Sequence, residues 1–281
     1  MKMVRDVSDF KAAPWRDIDR VEMEHAMSVP TMLSKREQKL YYWLTSHWTQ
    51  DIGAVVDLGC FVGGSTARLA DGHVDAGKRH WIHAYDRFKA DDRTKAQELY
   101  RKGIPPFDGT DIYWLARDLL EPWEDRVTLH RGDILTKTWD GSPIELLVMD
   151  AAKSTETTDG IAERFFPYLI PGQSLVVQQD YFHWRLPWIP VQMHLMQDWF
   201  RPVAFCPDDT VIFQNIRQID EAALTAGKVS RLDDGALLDH LTEVQPLARS
   251  WRKKQRIYRM KRAIRANPGV RTGYRMVDPD K

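Results

Sequence analysis

The residues best suited to chemistry stand at the ends of short apolar runs. "VVDLGCFVGGSTARLA" (Val55–Ala70) leads from a β-branched run through Asp57 into a turn of the form D-x-G-x-x-x-G, with Gly59 and Gly63, and then into a stretch that reads as a helix. Glycines let such a turn take positive φ or pass close to a ligand, and Ser65 and Thr66 are good candidates to cap the helix. Comparable runs end in Asp86 ("WIHAYD"), in Gly132 and Asp133 ("VTLHRGD"), in Asp150 ("IELLVMD") and in Gln179 and Asp180 ("SLVVQQD"). Carboxylates accept hydrogen bonds from hydroxyls and amines, so an acid rim beside a glycine turn suits a ligand carrying those groups. A pyrophosphate would instead want unopposed backbone N–H groups and usually a Lys or Arg in the turn. The dinucleotide fingerprint would need glycine at position 61, which is Phe61, and a P-loop would need Gly-Lys-Ser/Thr where this chain has Gly63-Gly64-Ser65. Taken alone, the same strand-glycine-helix turn also arises from tight packing.

The elements that must hold these residues follow from the alternation of short apolar runs with longer helical patterns between Ala54 and Ile216. Helices of this length between strands imply right-handed crossovers. The expected fold is α/β: a doubly wound, Rossmann-like, mostly parallel sheet of about seven strands with helices on both faces and helical extensions at each end. Residues 1–50 form the amino-terminal cap in this reading, 51–217 the sheet domain, and 218–281 a basic helical extension. "SKREQKLYYWLTSHW" (Ser34–Trp48) reads as a helix, and "GIPPFDGTD" (Gly103–Asp111) as the clearest interior loop. In such sheets ligands bind beyond the carboxyl ends of the strands, where the acids lie.

With 281 residues, 43% hydrophobic and 28% charged, the composition is that of a globular protein able to bury a core. No run of 18 apolar residues exists and the amino end has no apolar centre, which argues against membrane insertion or export. The two cysteines, Cys60 and Cys206, offer neither metal spacing nor a disulfide framework, so a cytoplasmic location is expected. Net charge is zero, yet Arg249–Arg275 carries eleven basic residues and no acid, which leaves the rest of the chain acidic. That segment reads as a helix with a basic face and two apolar stripes, Leu247-Trp251-Tyr258 and Ile257-Met260-Ile264. It suits docking on the acidic body, or binding of an anionic substrate, lipid or nucleic acid.

In order, Asp57-Leu58-Gly59 with Gly63, then Asp86, then Asp133, resemble the motifs of the class I S-adenosylmethionine-dependent methyltransferases over roughly 54–213. The resemblance implies S-adenosylmethionine as cofactor, its methionine end near Asp57, Gly59, Gly63 and Ser65, its ribose on Asp86 and its adenine near Asp133. "LLVMDAAKS" and "PGQSLVVQQDY" look like the macrocin O-methyltransferase type and, more distantly, the catechol and caffeoyl-CoA O-methyltransferases. Those families use Mg²⁺, which implies Asp150, Gln179 and Asp180 as ligands, although Gln179 stands where the family has an Asp. Asp150 also borders the cofactor site in this reading. Lys153, in a D-x-x-K arrangement with Asp150, is the candidate general base and needs a lowered pKa for that task. A solvated loop lysine is its bland alternative. His183 is the reserve base, and Trp15, Trp184 and Trp188 are candidates for a lid or acceptor wall. The implied partner is a small-molecule acceptor such as a sugar, polyketide or phenol. An amino-methylating signature with Pro-Pro-Tyr after the fourth strand is absent, which disfavours nucleic acid as substrate. A non-catalytic binding module and an oxidoreductase are the alternative classes on the same sheet, and the sequence is compatible with an oligomer.

Overall fold

A computed structural model describes residues 4–281. Its strands are β1 (Ala54–Leu58), β2 (Ile82–Asp86), β3 (Val127–Arg131), β4 (Ile144–Met149), β5 (Leu175–Gln178), β6 (Phe200–Cys206) and β7 (Thr210–Asn215). They form one sheet in the order β3-β2-β1-β4-β5-β7-β6, so the order reverses between β1 and β4. The chain divides into two compact units, one of residues 8–137 with 143–148, the other of residues 138–142 and 149–281 with the described amino end.

In the first unit, β1 and β4 are buried along their whole length, as a strand covered on both faces requires, and their sequences are accordingly continuous apolar runs rather than alternating ones. β1 pairs with β2 in parallel, Asp57 opposite Ala84, and β2 pairs with β3. The amino-terminal segment is less regular than expected. Short 3₁₀ turns at Ser8–Ala12, Pro14–Arg16 and His25–Ser28 precede the first helix, α1 (Lys35–Trp43). Pro14 and the left-handed Ala13 (φ 52°) interrupt any longer helix. α1 begins at the predicted Ser34, which caps it reciprocally with Glu37. It gives way to a π turn over Leu44–Trp48, where the Thr45 and Ser46 hydroxyls bond back to the Tyr42 carbonyl.

α2 (Gly64–Asp75) follows β1, α3 (Asp92–Glu98) follows β2, and α4 (Tyr113–Leu119) precedes β3. Gly64 opens α2 against the Pro30–Thr31 backbone, where a Cβ would lie 2.4 Å from the Pro30 carbonyl oxygen. Gly64→Ala is therefore expected to destabilise the chain by about 1–3 kcal/mol, read as a lower urea midpoint at unchanged slope.

In the second unit, β5 pairs with β7 and β7 with β6, both antiparallel. β6 is the strand that the sequence pattern hides, because "FRPVAFC" carries Arg201 and Pro202. Proline belongs on an edge strand or a bulge, and β6 is the sheet edge with an irregularity between Pro202 and Ala204. α5 (Thr155–Phe165), α6 (Trp188–Leu195), α7 (Glu221–Ala226), α8 (Asp234–Ser250) and α9 (Lys254–Ala266) complete this unit. The basic segment, expected as one helix, breaks between α8 and α9 at the left-handed Arg252 (φ 60°). Of its two apolar stripes the second is the buried one, with Ile257, Met260 and Ile264 in the core and Tyr258 exposed. Its charge is answered by acids: Arg256 by Asp209, Arg259 by Asp278 and Asp280, Arg262 by Asp280, and Arg271 by Asp234. No described helix is long and apolar enough to cross a membrane.

Candidate functional site

The turn after β1 is built by three residues at positive φ, Gly59 (97°), Phe61 (55°) and Gly63 (91°). A phenylalanine in that region is uncommon and its placement costs backbone strain. The turn's own N–H groups are largely spent: Gly59 and Cys60 donate to the Tyr85 carbonyl, Gly63 to that of Cys60, and Phe61 to Asp86 Oδ2 at 2.9 Å. The loop therefore offers few free donors to a phosphate, in keeping with the absence of a phosphate-binding motif.

Asp57 is 1% exposed. Its Oδ2 accepts from both Ser65 Oγ and Thr66 Oγ1 at 2.7 Å, while its Oδ1 is buried with no hydrogen-bond partner. Ser65 and Thr66, expected as helix caps, thus tie the start of α2 to the end of β1, and the cap position itself is the left-handed Gly63 with no side-chain bond. Burial pushes the Asp57 carboxyl up to about 6, the nearby Asp86 charge pushes the same way, and the two hydroxyls only partly offset this. An acid with an orphaned oxygen lacks a donor, best a cationic one.

Asp86 closes β2 and accepts from the backbone of Phe61 and, at 2.6 Å on Oδ1, of Phe88. Burial raises its pKa, against those bonds and the Arg87 charge. A carboxylate has about four acceptor positions, so it can hold the turn and still receive a ligand hydroxyl. Asp133, more exposed, caps the turn Ile134–Thr136 and pairs with Arg87 Nη2 at 2.5 Å. Within this unit a groove of about 580 Å³ lined by Trp81, Arg117, Glu124 and β3 contains none of the predicted site residues.

The other predicted residues lie together in the second unit. Lys153 Nζ sits 2.5 Å from Asp150 Oδ1 and 2.7 Å from Asp180 Oδ2. Partial burial opposes the ammonium, but the two carboxylates outweigh it and hold Lys153 above its ordinary pKa. Burial alone would raise Asp180, yet the Lys153 charge and hydrogen bond bring its carboxyl below the ordinary value. The lysine is thus an ion-paired ammonium, the opposite of the lowered pKa that a base requires. Burial lowers the His183 pKa despite Asp180 nearby, and its Nδ1 accepts from the Arg185 N–H at 3.3 Å. A neutral imidazole accepting at Nδ1 carries its hydrogen on Nε2 and is a donor there.

Asp150, Gln179 and Asp180 do not fit Mg²⁺ as arranged. The ammonium lies between the two carboxylates, and the Gln179 amide oxygen accepts from Thr210 Oγ1 at 2.7 Å. Among the described residues no three His, Cys, Asp or Glu are grouped to hold a metal ion, whereas Mg²⁺ asks for near-octahedral oxygen ligation.

The Lys153 loop is held by partners that no local motif announces. Trp188 Nε1 donates to the Ala152 carbonyl at 3.0 Å, Gly273 N–H to that of Lys153 at 2.9 Å, and Ser154 bridges to Thr272. Gly273 packs so closely that a Cβ would meet Leu186 Cδ2 at 2.7 Å. Trp188 and Trp15 are fully buried core residues rather than lid residues. Trp184 is clamped between the guanidinium groups of Arg185 and Arg259, 4.8 and 5.1 Å from its ring.

No protein-family model matches the chain, and no curated protein does. Among solved structures it is similar to the O-methyltransferase NovP, with a TM-score of 0.50 at 14% identity over 70% of this chain and 88% of that one. The SAH-bound methyltransferase PaMTH1 of Podospora anserina (TM-score 0.47, 13% identity, 77% and 98% covered) and the calicheamicin methyltransferase CalS11 (0.47, 14%, 75% and 95%) are further matches. At such identity the likeness is one of fold. The fold is the Rossmann-like, mostly parallel α/β fold expected from the alternation of strands and helices, and it is shared with NovP.

Proposed function

We propose that this chain is an S-adenosylmethionine-dependent O-methyltransferase acting on a small-molecule hydroxyl. The observation that carries the reading is the end of β1: a D-x-G-x-x-x-G turn, on a methyltransferase-type sheet, whose buried acid has one oxygen without a donor. That acid suits the cofactor's ammonium, Asp86 suits its ribose diol, and Asp133 suits its adenine edge. Gly59 and Gly63 supply two of the positive-φ positions that shape the turn, and Ser65 holds Asp57 in place.

The cofactor supplies an electrophilic sulfonium methyl. The protein must bring an acceptor oxygen in line at about 3 Å, exclude water and manage one proton. One of the carboxylates beside Lys153, Asp150 or Asp180, would take the hydroxyl proton released as the methyl is transferred. Lys153 serves as a hydrogen-bond donor that orients the acceptor oxygen. His183, a donor at Nε2 and close enough to Asp180 and Lys153 to feel their charges, is a second candidate donor to the acceptor.

Asp86→Ala is expected to weaken S-adenosylmethionine binding by roughly tenfold or more, since a buried diol loses a charge-assisted acceptor and the turn loses its anchor. Calorimetry with a folded variant checks it, and unchanged affinity would remove Asp86 from the site. The reading as a whole is tested by mass spectrometry of the purified protein for a co-purifying adenosyl ligand, followed by methyl-transfer assays on a panel of sugars, polyketides and phenols. Absence of transfer to every acceptor, together with no affinity for S-adenosylmethionine, would favour a non-catalytic module instead.

A further inference from the structure

We propose that Lys153 is the resident cation of the acceptor site, its ammonium taking the place between Asp150 and Asp180 that a divalent ion would take, so that this chain operates without a metal. The inference rests on the methyltransferase reading and departs from the metal dependence that the sequence resemblance implies.

Three observations carry it. The first is distance: the ammonium is within hydrogen-bond reach of both carboxylates at once, 2.5 and 2.7 Å, so the strongest local attraction for a cation is already satisfied. The second is the third ligand. Gln179 is neutral where a carboxylate was expected, and its amide oxygen is engaged by Thr210 Oγ1 at 2.7 Å. A divalent ion would have to displace the ammonium and share the Gln179 oxygen with Thr210, and it would then find two anionic ligands instead of three.

The third observation is the backbone. Asp180 is held in the left-handed region (φ 59°), a costly conformation for a residue other than glycine, and this conformation accompanies its contact with Lys153. The lysine's own loop is tied on both sides, at Ala152 by Trp188 and at Lys153 and Ser154 by Gly273 and Thr272. The ammonium is therefore placed by the fold, unlike a mobile surface lysine. Its side chain is still 45% exposed, and two of its three N–H donors are used by the carboxylates, which leaves one for an acceptor oxygen. A metal ion and this ammonium are like charges competing for one pair of acids.

The experiment is a Mn²⁺ titration of the full chain followed by electron paramagnetic resonance, with wild type, Lys153→Met and Lys153→Gln, the last covering a failure of the methionine variant to fold. The expected result is no stoichiometric Mn²⁺ uptake by wild type at up to about 1 mM, and at least roughly tenfold tighter uptake by a folded variant lacking the ammonium. One Mn²⁺ bound per wild-type chain, or variants that bind no more tightly than wild type, would overturn the proposal. S-Adenosylhomocysteine is titrated into the same chelated wild-type sample. Absence of binding there would count against the methyltransferase reading, and against the metal-free proposal only if Mn²⁺ restores it.

Discussion

Asp57→Asn is expected to weaken S-adenosylmethionine binding by at least roughly tenfold at pH 8 while leaving the ligand-free protein no less stable than wild type. The amide keeps an oxygen for Ser65 and Thr66, so the join between β1 and α2 survives. What disappears is a buried charge with an orphaned oxygen, which costs the free protein and serves only a cationic or hydroxylic partner. The pH dependence follows from the same residue. Its carboxyl is at about 6 in the folded chain, against 3.8 ordinarily. Between those values the folded state binds more protons than the unfolded one, so Asp57's contribution to stability falls as pH rises from about 4 to 6, by on the order of 3 kcal/mol in total. Asp57→Asn removes that loss. A cation bound at Asp57 brings the pKa back down, so cofactor binding near pH 6 is expected to release a proton, measurable as a buffer-dependent binding enthalpy. A variant with wild-type affinity and no change in proton release would separate Asp57 from the cofactor.

The second large effect is at Lys153. Lys153→Met is expected to leave cofactor affinity unchanged and to lower the single-turnover methyl-transfer rate by about two to four orders of magnitude, the usual contribution of a positioned group at the reacting oxygen. Lys153→Arg separates the two roles the residue could have. A guanidinium stays charged in proteins and matches two carboxylates well, so a fixed-cation role is expected to survive in part, with a rate well above that of the methionine variant. A base role would be lost as completely in arginine as in methionine. The ion pairs with Asp150 and Asp180 favour the first outcome. Equal rates for the arginine and methionine variants would return Lys153 to the role of base, and equal rates for all three proteins would make it a bystander.

The sheet and its acid-ended strands were legible because β1, β4 and β5 are buried on both faces and so are written as unbroken apolar runs. β6 was not, since an edge strand tolerates the Arg201 and Pro202 that disguise it. The break at Arg252 has no local sequence signal, because its left-handed conformation falls on neither glycine nor asparagine. Asp57 and Asp86 are legible from their place at the carboxyl end of an apolar strand. What each one touches depended on partners far along the chain. Asp86 meets Phe61 across 25 positions, and Lys153 meets Asp180 across 27. The D-x-x-K spacing from Asp150 marks Lys153 as a base candidate, whereas the second carboxylate, from a distant strand end, favours an ion-paired ammonium. Trp188, Thr272 and Gly273 do their work through backbone carbonyls and close packing, which no local spacing reveals.

The central claim is that the glycine turn after β1 holds S-adenosylmethionine, and calorimetric titration of S-adenosylhomocysteine into the wild-type chain tests it most directly. One binding event per chain with a Kd in the range of about 1–100 μM, weakened in Asp57→Asn and Asp86→Ala alike, is the predicted result. No heat and no thermal stabilisation at about millimolar ligand would contradict it, because a ligand that binds only the folded state must raise the unfolding midpoint.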